Sequence, residues 1–371
     1  MRNVLTVILF MTVQVVIAQP HTHQSQRSFK FPDFNGLKTL KCDFHQHTVF
    51  SDGSVWPDIR VKEALLDGLD AISLTEHLEY QPHKQDIPHP DRNRSYEIAT
   101  KEAKDHNLLI IKGSEITRSM PPGHNNAIFI NDANKLLIDS AMGVFRAAQQ
   151  QGAFVFWNHP NWVAQRPDGV AKLTDMHRQL IKENLLQGIE VVNEHTFSDE
   201  ALQIALDNNL TIMGTSDVHQ LIDWDYNVPN NHRPITLIFA KEKTPEEIKS
   251  ALIERKTVAC FKDLLIGREE MVKPLIEASI VITNAEYQKG SSILNVSLKN
   301  QSSCNFILKN SSKYQFHNQG DIITVPADGE VVLQVKTLSK VQEIFLKFEV
   351  LNGIIAPNKH PLIEWKYSSV K

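Results

Sequence analysis

The chain has 371 residues, of which 42% are hydrophobic and 22% are charged, and its formal net charge is −4. This length accommodates one large domain and one smaller domain. The slightly acidic balance argues against stable nucleic-acid binding, which requires a basic face. Histidine is abundant, with 16 residues that mostly precede residue 233.

The N-terminus has the features of a secretory signal peptide. Arg2 precedes an almost wholly apolar run, and Val16 and Ala18 fit the small-residue pattern of a cleavage site. The run is short for a membrane span and is followed by polar residues. We therefore expect residues 1–18 to be removed and residues 19–37 to form a lead-in segment. The mature protein would be secreted or periplasmic without a membrane span, and an uncleaved N-terminal anchor is the alternative.

Short apolar, β-branched runs alternate with amphipathic helical patterns over residues 38–265. Strand–helix alternation predicts an α/β domain with a parallel sheet, and this many repeats favours a barrel. The predicted strands are Leu40–Phe44, Ala71–Leu74, Leu108–Lys112, Ala127–Ile130, Ala153–Trp157, Ile189–Val192, Leu210–Met213, Ile235–Ala240 and Thr257–Phe261.

The pattern changes after residue 270. Stretches such as SILNVSLKN, GEVVLQVKT and EIFLKFEV alternate apolar and polar residues between turns rich in Asn, Gly and Ser. This pattern predicts a C-terminal β-sandwich domain over residues 272–371. His317 is its one histidine before the tail, so we expect a structural or docking module without a ligand cluster.

The three cysteines, Cys42, Cys260 and Cys304, form no CxxC pair, so any metal ion would be held by histidines and carboxylates. Cys42 and Cys260 lie in apolar runs that are typical of core positions. A disulfide between these two is left open, because the sequence contains no geometric information on their distance.

Nearly every predicted strand of the first domain is followed by a possible metal ligand. In an α/β barrel, the residues that follow the strands gather at one rim. Taken alone, each of these side chains has an ordinary explanation as surface, loop or helix-cap polarity. Their repeated placement predicts a site for two or three divalent ions, with Zn, Mn and Fe all suitable. The ligands are His45, His47, Asp52, His77, Glu115, His124, His159, Asp217 and His219.

These residues occur in ordered motifs: HQH followed by SDG, then TEH, GSE, GH, NHP and SDVH. Over residues 38–262 the chain resembles the polymerase and histidinol phosphatase (PHP) family of metal-dependent phosphoesterases. The resemblance implies a distorted (β/α)₇ barrel with its metal site at the C-terminal rim. HRPITLIFA and the sandwich tail resemble an exported subgroup that is similar to secreted phosphodiesterases.

The resemblance also implies three ligand groups, and all nine positions are filled, which argues against a metal-free version. The groups are His45, His47, Glu115 and Asp217 for the first ion, Glu115, His124 and His159 for the second, and Asp52, His77 and His219 for the third.

The expected reaction is hydrolysis of a small phosphorylated substrate, with diesters favoured over monoesters. A hydroxide bridging two ions under Glu115 is the expected nucleophile, since bound divalent ions lower the pKa of water to roughly 7. Asp217 shares this catalytic centre. Arg118 and Arg233 are predicted to bind the phosphate, because guanidinium groups match its oxygens.

The leaving group needs a proton, and the predicted donors are His219, His195 or a water on the third ion. Four aromatic residues near the rim are predicted either to stack on a ring of the substrate or to pack in the protein, with packing expected for at least two: Trp157, Trp162, Trp224 and Tyr226. The alternatives are a metal-dependent amide or lactone hydrolase, and an exported binding protein without catalysis. The natural substrate, the metal and the oligomeric state are left open.

Overall fold

The computed structural model describes residues 27–87, 89–228 and 231–368. The predicted signal peptide and the beginning of the lead-in segment lie outside these ranges. Among the described residues, no helix is long and apolar enough to cross a bilayer.

The first domain contains all nine predicted strands and two short additional ones. The strands are β1 Lys38–Asp43, β2 Ala71–Leu74, β3 Leu109–Ile116, β4 Asn125–Ile128, β5 Phe154–Trp157, β6 Gly188–Asn193, β7 Thr196–Phe197, β8 Thr211–Thr215, β9 Ile235–Ala240, β10 Thr257–Phe261 and β11 Leu264–Gly267. The helices are α1 Pro57–Leu66, α2 Arg94–Ala103, α3 Ala141–Gln150, α4 Asp175–Lys182, α5 Asp199–Asp207, α6 Ile222–Tyr226, α7 Pro245–Ile253 and α8 Glu269–Ser279, with a 3₁₀ turn at Ala133–Leu136.

The strands form one curled sheet that is mixed, whereas the sequence pattern predicted a parallel sheet. Strands β1, β2 and β3 are parallel, as are β5, β6 and β8. Strand β4 is antiparallel to both β3 and β5. The loop of residues 117–124 between β3 and β4 is too short for a crossover, which needs a dozen or more residues, so the chain reverses there.

Direction also reverses at β9, which is antiparallel to β1 and to β10. Strand β11 pairs antiparallel with β10 through the turn Lys262–Asp263, whose residues have φ of 49° and 64°. Two positive φ values are typical of a tight two-residue hairpin turn.

Side-chain hydrogen bonds link β8 to β9 and β10 where the sheet curls on itself. The Thr236 hydroxyl donates to the Gly214 carbonyl over 2.8 Å, and the Thr257 hydroxyl donates to the Ile212 carbonyl over 2.7 Å. Gly214 permits this approach, because a Cβ there would lie 2.8 Å from the Cβ of Ala259. The fold is thus a mixed α/β domain with a curled sheet, and the seven-fold count of the barrel stays a prediction.

The second domain is the predicted sandwich, with two antiparallel four-stranded sheets. Their orders are β12-β13-β17-β15 and β16-β14-β18-β20. The strands are β12 Ile280–Tyr287, β13 Ile293–Asn300, β14 Phe306–Asn310, β15 Gln315–Phe316, β16 Ile322–Val325, β17 Glu330–Lys336, β18 Glu343–Val350, β19 Gly353–Ile354 and β20 Leu362–Ser368. Strand β19 leaves the sandwich and pairs parallel with β11, so the second domain extends the sheet of the first.

The two domains contact each other through polar side chains and through the cysteines Cys260 and Cys304. Asp263 accepts hydrogen bonds from the backbone and side chain of Asn305, over 2.9 and 2.8 Å. All three cysteines are buried and free. The thiol of Cys260 contacts Cys304, and this hydrogen bond together with burial raises the pKa of Cys304 well above its ordinary value. Cys42 therefore has no disulfide to Cys260 in this structure.

Candidate metal centre

His45 and His47 follow β1 and point to the same place, as alternate residues of an extended segment do. Both side chains are fully buried. Their Nε2 atoms lie 3.1 Å apart, and they lie 3.0 and 3.1 Å from the same carboxylate oxygen, Oδ1 of Asp217. Asp217 is held in register because its backbone N–H donates to the His45 carbonyl over 2.8 Å. Three ligand atoms from two distant segments therefore converge on one point.

Glu190 on β6 orients His45. Its carboxylate lies 2.7 Å from His45 Nδ1 and also accepts from Thr215 Oγ1, the His159 backbone N–H and Asn193 Nδ2, over 2.6, 2.7 and 2.9 Å. A carboxylate with these partners is an acceptor, so Nδ1 of His45 carries a proton and Nε2 is the nitrogen that would bind a metal ion. Sequence reasoning missed Glu190, and the available signal was an acidic residue inside the apolar run GIEVV.

Glu115, at the end of β3, lies between the ligand groups. It is fully buried, its Oε1 lies 3.0 Å from His124 Nδ1, and its Oε2 contacts His77 Nδ1. The two oxygens also lie 3.7 Å from the Nε2 atoms of His45 and His47, respectively. This position suits a carboxylate that bridges two ions.

Asp52 lies at the edge of the site, between the other two predicted ligands of the third ion, His77 and His219. Its Oδ1 lies 3.2 Å from His219 Nε2, and its Oδ2 lies 3.4 Å from His77 Nε2. The Nδ1–H of His219 donates to the Asp217 carbonyl over 2.7 Å, which leaves its Nε2 free to act as a ligand. The ring of His47 stacks on that of His219, with centroids 4.3 Å apart.

All nine predicted ligands thus lie in one region, but their grouping differs in detail from the prediction. Three sets of ligand atoms are close enough for an ion: His45, His47 and Asp217; His77, Glu115 and His124; and His47, Asp52, His77 and His219. His159 lies just outside these sets, with its Nε2 3.7 Å from Glu115 and 3.8 Å from Asp217. The assignment of ligands to individual ions therefore stays a prediction.

The chemistry of these groups fits divalent cations. Asp52 Oδ1 and Glu115 Oε2 are buried and lie close to imidazole nitrogens, but neither accepts a hydrogen bond, which is costly unless something else satisfies them. Burial would raise the pKa values of Glu115 and Asp217, but the surrounding histidines hold both well below the ordinary range, so the carboxylates are ionised. A set of imidazoles and carboxylates suits Zn, Mn or Fe.

The histidines differ in their affinity for protons. Burial, reinforced by the neighbouring His219 and His77, lowers the pKa of His47 to about 3. Burial opposes protonation of His77 as well, but Glu115 and Asp52 raise its pKa to about 11. A cation bound here must therefore compete with protons at His77 and also at His45, where burial opposes protonation but Asp217 and Glu190 raise the pKa well above its ordinary value.

Two further residues hold the loops that carry ligands. Buried Glu76 accepts from the Thr48 backbone N–H over 3.1 Å and from the Ser51 hydroxyl over 2.6 Å, which fixes the loop from His47 to Asp52. The Nε2–H of His177 on α4 donates to the Pro122 carbonyl over 2.7 Å, two residues before His124.

The two arginines predicted to bind phosphate do not reach the site, which corrects that prediction. Arg233 is fully buried and pairs with Asp43 and Asp67, at 3.2 and 2.7 Å. Arg118 pairs with Glu79 over 2.8 Å and donates to the Ile138 carbonyl over 2.6 Å. Both guanidinium groups are occupied by the protein itself.

Two adjoining cavities open beside the ligands. The metal cavity, of about 140 Å³, is lined by six of the ligands together with Trp162, Asn193 and Glu194. The side cavity, of about 370 Å³, shares Glu194, Asp217 and His219 with it and is also lined by His195, Ser216, Gln220, Asp225 and Tyr226.

The predicted proton donor and aromatic residues divide between these cavities and the core. His195 lines the side cavity and packs on Tyr226, with ring centroids 4.9 Å apart. Trp162 lies beside His159, with centroids 5.1 Å apart, and is 43% exposed. Trp157 and Tyr226 are buried as packing residues, and Trp224 is exposed away from both cavities.

A solved structure from Bacteroides vulgatus, described as a two-domain protein containing a predicted PHP-like metal-dependent phosphoesterase, shares this fold. It is 42% identical with a TM-score of 0.85, and the match covers 92% of this chain and 98% of that one. The chain belongs to the PHP-like metal-dependent phosphoesterases. The resemblance read from the motifs is thereby confirmed, and the two-domain organisation is shared with this PHP-like relative.

Two further similarities concern parts of this PHP-like chain. The family DUF5001, described as an Ig-like domain, matches residues 280–366, in agreement with the sandwich. The uncharacterized protein MJ1295 of Methanocaldococcus jannaschii is 34% identical over 85 residues, which is 22% of this chain. The match spans 36% of the length of that protein.

Proposed function

We propose that this protein is an exported phosphoesterase that hydrolyses phosphate esters, diesters in preference to monoesters. The observation that carries the reaction class is the convergence of three overlapping ligand sets on one cavity in a PHP-like chain. Export is supported by the N-terminal sequence alone, whose apolar run and small residues are typical of a signal peptide.

The nine ligand side chains would hold two or three divalent ions. Bound ions would lower the pKa of water to about 7 and draw charge from the phosphoryl oxygens. The protein contributes the orientation of the ligands: Glu190 holds His45, Glu76 holds the loop between His47 and Asp52, and His177 holds the loop before His124.

His195 is the proton donor that we favour for the leaving group. The other predicted donor, His219, is itself a predicted metal ligand, because its Nδ1–H donates to the Asp217 carbonyl and its Nε2, next to Asp52, would bind the ion. His195 instead lies on the wall of the side cavity, next to the metal cavity. Trp162, exposed beside His159, supplies a flat surface on which a ring of the substrate would stack.

The test is a comparison of leaving groups. Purified protein loaded with Mn²⁺ or Zn²⁺ is assayed with bis(4-nitrophenyl) phosphate, 4-nitrophenyl phosphate and diethyl phosphate, a dialkyl diester whose leaving group is an alkoxide. His195→Gln should slow alkyl diesters by 10²-fold or more, roughly the usual contribution of general acid catalysis, while diesters with a 4-nitrophenolate leaving group change little. His317→Gln in the sandwich is the matched control.

A metal-dependent amide or lactone hydrolase is the second candidate. It is favoured by the position of Arg118 and Arg233, which leaves the cavities without a dedicated phosphate clamp. Turnover of N-acyl or lactone substrates by the same metal-loaded protein, without turnover of any phosphate ester, would favour it over the phosphoesterase.

A further inference from the structure

Glu194 occupies an unusual backbone position next to the metal centre. It is the first residue of the two-residue turn between β6 and β7, where Asn193 pairs with Thr196. Its φ is 48°, and its backbone N–H donates to the Thr215 carbonyl over 3.3 Å. A positive φ at this point of a hairpin favours glycine. The chain places a long acidic side chain there instead, at a cost in backbone strain that is common at functional sites.

The side chain of Glu194 lies where the two cavities meet. Of the residues that the structure describes, three line both of them, and the other two are the metal ligands Asp217 and His219. A substrate whose phosphorus lies at the metal centre and that extends into the side cavity would pass Glu194.

Apart from the histidines, the charged side chains on the walls of the two cavities are all acidic. Among the described residues that line the two cavities, the carboxylates are Asp52, Glu194, Asp217 and Asp225, and there is no lysine or arginine. Apart from bound ions and the histidines, nothing on these walls offsets the second negative charge that a phosphate monoester carries. A diester carries a single negative charge and presents a neutral alkoxy or aryloxy group instead.

We propose that Glu194 is a specificity-determining residue that disfavours dianionic phosphate monoesters by like-charge repulsion and so selects diesters. This inference rests on the proposed phosphoesterase function and names the residue behind its preference. Like-charge repulsion of this kind in a partly solvated site changes relative rates by about tenfold.

The test uses Glu194→Gln, which removes the charge and keeps the shape, and Glu194→Gly, which also relieves the strained φ. Glu183→Gln, an exposed acid on the segment after α4, is the control for a general change in net charge. For each variant, kcat/KM is measured with 4-nitrophenyl phosphate and with bis(4-nitrophenyl) phosphate. The affinity of the metal-loaded protein for inorganic phosphate, measured by calorimetry, is a second readout that does not require turnover.

We expect both Glu194 variants to raise the monoester-to-diester ratio of kcat/KM by about tenfold, to bind inorganic phosphate more tightly by a similar factor, and to leave diester turnover within about twofold. In the wild type the same ratio should rise with ionic strength, since salt screens the repulsion, and this dependence should weaken in Glu194→Gln. An unchanged ratio in both variants, with diester turnover retained, would overturn the assignment of Glu194. If the wild type hydrolyses neither ester, the proposed function itself fails, and the inference fails with it.

Discussion

His45 Nδ1 donates to Glu190 Oε1 over 2.7 Å, and both side chains are fully buried. Outer partners of this kind commonly change metal affinity by 10- to 100-fold. Glu190→Gln places an amide N–H₂ where the His159 N–H and Asn193 Nδ2 need an acceptor. We expect the affinity for the ion at His45 to fall by about 10- to 100-fold, as measured by competition with a chelator.

The control for that measurement is Glu200→Gln, at the start of α5, which carries the same chemical change outside the site. Unchanged metal affinity in Glu190→Gln, with the fold intact by circular dichroism, would show that the position of His45 does not depend on Glu190.

His177 should make stability depend on pH. Burial, partly offset by its hydrogen bond to the Pro122 carbonyl, lowers its pKa from 6.5 to about 4. The unfolded chain therefore binds the proton at higher pH than the folded chain. The contribution of neutral His177 is fully present above pH 6.5 and is lost as the pH falls toward 4, by about 3 kcal/mol in the free energy of unfolding.

The measurement is denaturant unfolding of the metal-free wild type and of His177→Gln between pH 4 and pH 7. An uncharged glutamine at this site can donate to Pro122 as the histidine does. The stability advantage of the wild type over the variant should shrink by about 3 kcal/mol from pH 7 to pH 4, and a difference that is constant with pH would contradict the assignment.

The arginines predicted from the sequence to bind phosphate should instead affect stability. Arg233→Met leaves Asp43 buried without its cation, while Asp67 keeps its pair with Arg27, and breaking a buried pair in this way costs about 3–5 kcal/mol. Arg118→Met, at a partly buried pair with Glu79, should leave KM for a diester within about twofold, because its guanidinium group is already occupied by the protein. A large rise in KM for Arg118→Met, without a change in Tm, would restore its predicted role in binding.

The strands and the ligand set could be predicted because both produce local patterns in the amino-acid sequence. Each of the nine apolar runs is a strand, and His45 and His47 are brought together by the two-residue period of an extended chain. Strand direction could not be read in this way. Whether β9 runs with or against β1 depends on how the chain returns to the sheet, and the strand sequences do not encode this.

The roles of Arg233, Glu190 and His177 could not be predicted from the sequence, because their partners are distant along the chain. Arg233 meets Asp67 and Asp43 across 166 and 190 positions, so nothing beside it in the sequence reveals the buried network. Glu190 reads as the outward-facing residue of a half-exposed strand, but β6 is buried on both faces. His177 lies in a helical pattern with many polar neighbours, and only the fold places it beneath the loop that carries His124.

The central claim is that these side chains form one multinuclear metal site that drives ester hydrolysis. Elemental analysis of the purified wild type and of Asp217→Ala, with bis(4-nitrophenyl) phosphate turnover recorded on the same samples, tests it most directly. We expect two or three divalent ions per wild-type chain, fewer in the variant, and loss of turnover with the lost ions. Fewer than one ion per wild-type chain, together with unchanged turnover in Asp217→Ala, would contradict it.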